Sequence, residues 1–142
     1  MEFSNPADAE IRAILARPTT VAVVGCSDHP ARDSLRIAKL LKSRGFKVIP
    51  VNPQLDRGAL RGALGEKCYP DLASIPEPVE IVDVFRRSEF VPEIVEDAIA
   101  KGARVLWCQL GVVNLEATRR AQQAGMTVVV DRCPAIEYAR LF

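Results

Sequence analysis

Gly25-Cys26-Ser27-Asp28-His29-Pro30-Ala31-Arg32-Asp33-Ser34 is the densest run of groups capable of chemistry in this chain, set between a valine-rich stretch and an amphipathic one. A glycine permits a sharp turn, and a helix starting after it offers unpaired N–H groups and a partial positive charge to an anion. Ser27 and Ser34 bring hydroxyls, Arg32 a full charge and His29 an imidazole. The segment reads as an anion-binding turn; the competing reading is a plain connection in which Asp33 or Ser34 only caps the helix. Cys26 is a nucleophile candidate, since a thiol before a helix start can be acidified, but a small side chain admitting a ligand is its simpler role. Ser27 and His29 form a conceivable nucleophile–base pair, with no third residue placed to orient the imidazole.

Three other clusters stand at the ends of apolar runs. Phe85-Arg86-Arg87 offers an aromatic face and two guanidinium groups, suited to stacking a base and pairing with phosphate, or else a core Phe beside a solvated pair. Trp107-Cys108-Gln109-Leu110-Gly111 places the polar Gln109 where a strand gives way to a loop, with Trp107 expected in the core. Cys133, before Pro134, is a second thiol candidate. The dinucleotide fingerprint G-x-G-x-x-G is absent beyond its first glycine, and Val51-Asn52-Pro53 stands where an acid would hold the ribose of NAD. A standard NAD(P) site is thus disfavoured, as is a P-loop, because no G-x-x-x-x-G-K-[ST] occurs.

The elements that must position these groups follow from a repeated pattern: helix end, glycine, strand. It occurs around Gly45, Gly102 and Gly125, each followed by a short apolar run. With Thr20–Val24 and the run 79–85, five strands are expected, rich in Val and Ile as in sheets buried on both faces. Helices are expected near 7–16, over 34–44, over 93–101, over 115–124 behind an Asn114 cap, and after Pro134. This alternation predicts an α/β, Rossmann-like, three-layer doubly wound sheet of about five parallel strands with helices on both faces, residues 1–142 forming a single domain. In such a sheet ligands sit beyond the carboxyl ends of the strands, where the topology switches direction. The stretch 52–78 breaks the rhythm and reads as a long connection, either functional or carrying short elements.

Bulk properties bound the function classes. With 142 residues, 49% hydrophobic and 26% charged, the chain can bury a real core. A net charge of +1 argues against a broad nucleic-acid surface. No apolar run approaches a membrane span, and the amino terminus lacks the pattern of a secretory signal. Four cysteines without a close pair, and one histidine, leave no zinc site of ordinary spacing. The expected location is cytoplasmic.

Taken in order and spacing, Val23-Val24-Gly25-Cys26-Ser27, Ser34 and its helix, Val48-Ile49-Pro50-Val51-Asn52-Pro53, Val82-Asp83-Val84-Phe85-Arg86-Arg87, the Trp107 segment and Asp131-Arg132-Cys133-Pro134 resemble the small stand-alone CoA-binding proteins of bacteria. Their fold is that of the CoA-binding domain of the succinyl-CoA synthetase α-subunit. The resemblance implies coenzyme A, or an acyl-CoA, as the small-molecule ligand. It implies that Gly25 to Arg32 meets the phosphates, with His29 among them, and that Val51, Asn52 and Pro53 border the adenosine. Phe85, Arg86 and Arg87 would add stacking and charge, while Gln109 and Leu110 flank the pantetheine path. The synthetase domain bearing the phosphorylated histidine has no counterpart in this sequence, so the expectation is binding without independent catalysis. The alternatives are a CoA-dependent acyl-transfer or redox enzyme using Cys133 or Cys26, and an NAD(P)-type nucleotide-binding protein.

Overall fold

A computed structural model describes residues 3–142; Met1 and Glu2, on which part of the reading of the amino terminus falls, lie outside the described residues. The chain runs α1 (Asp8–Ala16), β1 (Thr20–Val24), α2 (Asp33–Ser43), β2 (Lys47–Val51), α3 (Arg61–Leu64), β3 (Ile81–Val84), α4 (Val91–Lys101), β4 (Val105–Cys108), α5 (Leu115–Gln123), β5 (Thr127–Val129) and α6 (Pro134–Leu141). The five strands form one sheet in the order β2-β1-β3-β4-β5, and every pairing is parallel. The α/β Rossmann-like architecture expected from the sequence is the one observed.

Strand alternation sorts the core into two halves. Val21, Val23, Val48, Ile81, Val105, Trp107 and Val129 point to one face, where Ile11 and Leu15 of α1, Leu35, Ala38 and Leu41 of α2 and Tyr138 of α6 cover them. Ala22, Val24, Ile49, Val51, Val82, Val84, Leu106, Cys108 and Val128 point to the other, under Val95 and Ala98 of α4, Ala117 and Ala121 of α5, and Leu72, Ile75 and Val79. Because both faces are buried, the strands read as continuous apolar runs. Asp83 is the exception: its register neighbours on that face are Val23 and Trp107, yet it is only 1% exposed.

Helix boundaries follow local chemistry. Asn114 caps α5 by accepting from the Ala117 N–H at 3.0 Å. Pro92 stands in the first turn of α4, and Gly102, at φ +80°, ends it in the left-handed region. Helix α4 begins at Val91, two residues before the expected start, because a 3-10 turn over Ser88–Phe90 leads directly into it. The long connection carries α3 and a bridge from Tyr69 to Val51, so it adds backbone beside the end of β2.

Candidate functional site

Strand β1 lies between β2 and β3: the chain passes from β1 through α2 to β2 on one side, then crosses back over β1 to β3 on the other. The sheet order therefore puts its topological switch between the carboxyl ends of β1 and β3. Gly25 occupies this point. Its N–H donates to Val51 O at 2.8 Å, while the Phe85 N–H donates to Val24 O at 2.8 Å. Its φ is +88°, and a Cβ there would stand 2.4 Å from Phe85 O. No side chain fits that gap.

Three clefts meet around Gly25 along this edge. The first, about 530 Å³, is lined by Gly25, Ser27, Ala31, Arg32, Asp33, Ser34 and Phe85. The second, about 210 Å³, lies on the other side of the switch between Val24, Gly25, Val51, Pro53, Pro70, Leu72, Ile94 and Arg86, with Asp71, Glu93 and Asp97 at its wall. The third is a groove of about 630 Å³ beyond β3, β4 and β5, lined by Phe85, Arg86, Arg87, Gln109, Leu110, Val112, Cys133, Ala135, Ile136 and Ile37, among others. Gly25 is common to the first two, Phe85 to the first and third, and Arg86 to the second and third. They form one continuous surface. A further depression, between Glu10, Thr19, Glu80 and Arg104, lies at the opposite end of the strands and has no part in this surface.

The first cleft opens on the start of α2. Arg32 is the N-cap of α2 and gives no side-chain cap, so neither Asp33 nor Ser34 closes the helix end. The unpaired N–H groups of the first turn and the positive end of the dipole point outward together. Ser34 Oγ instead accepts from the Ser27 N–H at 2.9 Å, folding the loop back over its own helix. Ser27 Oγ accepts from the His29 N–H at 3.0 Å, and His29 Nδ1 accepts from the Ala31 N–H at 3.2 Å. These bonds hold the loop open and leave the imaginable Ser27–His29 pair without a bond between hydroxyl and imidazole. Asn52 is committed as well: Nδ2 donates to Cys26 O at 3.0 Å and Oδ1 accepts from the Gln54 N–H at 2.9 Å. It ties the first loop to the end of β2, in the position where an NAD site needs a free acid.

Of the residues expected at a site, Gly25, Ser27, Arg32, Ser34, Val51, Pro53, Phe85, Arg86, Arg87, Gln109 and Leu110 line the three clefts. Cys26, Asn52 and His29 do not. The Cys26 side chain is fully buried in the α2 half of the core, and burial pushes its thiol up to about 12. Cys108 is likewise pushed up to about 12 by burial. Neither thiol is ionised near neutrality, which removes Cys26 as a nucleophile. Cys133 is half-buried at the N-cap of α6 and lines the groove.

Several lining residues escaped the sequence reading. Pro70, Asp71 and Leu72 come from the long connection, and Glu93, Ile94 and Asp97 from α4. Burial, then the neighbouring carboxylates of Glu93, Asp71 and Glu96, push Asp97 above the ordinary carboxylate range. Ile37 of α2 and Ala135 and Ile136 of α6 extend the groove, and Leu110 and Ile136 give it an exposed apolar rim. Arg86 is held over the Phe90 ring, its guanidinium carbon 4.2 Å from the centroid. Arg87 is more exposed, with Glu89 at 3.8 Å.

Comparison with known proteins gives this geometry its setting. The family described as "CoA binding domain" matches residues 19–139. The uncharacterised protein YneT of Bacillus subtilis is 42% identical over 137 residues, covering 96% of this chain and 98% of that protein. An ADP-forming acetate–CoA ligase (I) of Archaeoglobus fulgidus is 34% identical over 126 residues, 82% of this chain but 18% of the ligase. A solved structure described as a hypothetical protein from Pyrococcus horikoshii superposes with a TM-score of 0.87 at 41% identity, covering 99% of both chains. Among the described residues no helix is long and apolar enough to cross a membrane, and no group of metal-ligating side chains is assembled.

Proposed function

The chain belongs to the CoA-binding domain family, and from that premise we propose that it binds coenzyme A, free or acylated, across the three clefts at the β1/β3 switch. The observation that carries this reading is their continuity through Gly25, Phe85 and Arg86, which suits a long ligand with chemically distinct parts. Phosphates take the uncapped start of α2 beside Arg32. The adenosine takes the smaller cleft between Val51, Pro53, Pro70 and Leu72, and the pantetheine arm follows the groove past Gln109 and Leu110. Arg86 stands between the last two, where its charge serves the ligand's remaining phosphate.

The family relation to part of the acetate–CoA ligases concerns a fifth or less of those chains, so we assign binding, not ligation, to this polypeptide. Any thiol chemistry with the ligand's arm falls to Cys133, the cysteine that lines the groove.

Charge removal tests the reading. Arg86→Ala is expected to weaken CoA by about tenfold, the scale of a charged hydrogen bond, and dephospho-CoA by much less. Arg87→Ala, at a more exposed position, should have a smaller effect on both. Equal losses for CoA and dephospho-CoA in Arg86→Ala, measured by calorimetric titration, would remove the 3′-phosphate from that residue.

A further inference from the structure

Asp83 is the one acid on the inner surface of β3, and its place in the core needs a reason beyond packing. Ile14 and Leu15 of α1, Leu41 of α2, Trp107 of β4 and Pro134 of α6 surround it. Of the titratable groups that sense its charge, the buried Cys26 thiol belongs to the same half of the core and the buried Cys108 thiol lies across the sheet; no cation is paired with it among the described residues. Its Oδ1 accepts a hydrogen bond from Gln109 Nε2, and its Oδ2 is buried without a partner. Gln109, 5% exposed, meanwhile lines the floor of the groove. The Asp83–Gln109 pair thus links the core to the surface assigned to the pantetheine arm.

An ionised carboxylate only accepts, so it dictates which end of a neighbouring amide faces it. We infer that Asp83 is a positioning residue: by accepting from Gln109 Nε2 it turns the Gln109 carbonyl toward the groove, as the acceptor for an amide N–H of the ligand's arm. This rests on the CoA reading above, because the pantetheine arm carries two amide N–H groups that lose water on entering the groove. An acceptor fixed in place beforehand meets them without reorganisation. A protonated Asp83 can instead donate to Gln109 Oε1 and release the amide from this orientation. Burial places that protonation at about 7, so the orientation of Gln109 responds to pH near neutrality.

The test compares CoA with adenosine 3′,5′-bisphosphate, which lacks the arm, on the wild-type chain, Asp83→Asn and Gln109→Leu. In Asp83→Asn the new amide offers both a donor and an acceptor, so it no longer dictates the orientation of Gln109. In the wild type, the affinity ratio of CoA to the bisphosphate should fall about three- to tenfold from about pH 8 to about pH 6. Asp83→Asn should show the reduced ratio at both pH values; titration of the ligands is common to both proteins and cancels. Gln109→Leu should show the same reduced ratio, with no further loss when the two are combined. Equal weakening of both ligands in Asp83→Asn, or a pH dependence that survives it, overturns the positioning role while leaving CoA binding intact. If the wild type binds neither ligand, the CoA reading fails and this inference with it.

Discussion

Gly25→Ala is expected to lower stability by about 3 kcal/mol and to weaken CoA binding by about tenfold or more. Two costs combine at this residue. A φ of +88° is open to glycine and strained for any residue with a Cβ, and the added carbon would meet the Phe85 carbonyl at 2.4 Å. Phe85 O belongs to backbone that follows directly from β3, so relief requires the ends of β1 and β3 to part. Those ends are the junction of all three clefts, and for that reason stability and binding should fall together. Gly62→Ala is the control: it has nothing within 4 Å of its ideal Cβ, and no positive φ. Thermal melts and CoA titrations of the two variants should diverge sharply. A Gly25→Ala protein that melts and binds like the wild type would show that the close approach does not matter.

Asp83→Asn is expected to stabilise the free protein at alkaline pH. Burial raises the Asp83 pKa from an ordinary 3.8 to about 7, and the Gln109 hydrogen bond offsets only part of that. Between those two values the folded chain keeps a proton that the unfolded chain has released. Stability therefore falls as pH rises, and the loss is complete once pH passes the folded value. From about pH 5 to about pH 8 this one group should remove about 3 kcal/mol. Asp83→Asn cannot ionise, so denaturant titrations should show its advantage over the wild type growing through that interval. An advantage that stays constant with pH would mean that Asp83 titrates outside it.

The sequence was most informative wherever one residue type answered one backbone demand. Gly45, Gly102 and Gly125 marked helix ends because only glycine takes their left-handed conformation cheaply, and all three adopt it. Asn114 marked α5 because an N-cap is a local hydrogen bond. The site was less legible. The first loop reads as a string of ligand-seeking groups, yet the side chains of Ser27, His29 and Ser34, and of Asn52 beside them, bond to nearby backbone, that of His29, Ala31, Ser27, Cys26 and Gln54. Such commitments depend on the third dimension and leave no trace in composition. Asp71, Leu72 and Asp97 reach the second cleft only because Tyr69 bridges to the end of β2 and α4 packs beside it. Asp83 lay in plain view within Val82-Asp83-Val84, but its pairing with Gln109 spans 26 positions and became visible only with the register of β3 and β4.

Coenzyme A as a whole is the ligand assigned to the edge above β1 and β3. Calorimetric titration of the wild-type chain with CoA, dephospho-CoA, NAD and ATP tests that assignment most directly. The proposed pose predicts saturable binding of CoA, with dephospho-CoA weaker by about tenfold and NAD and ATP weaker still, because each lacks a group that the pose assigns to one of the clefts. NAD or ATP binding as tightly as CoA, or no heat from CoA at millimolar concentration, would contradict it.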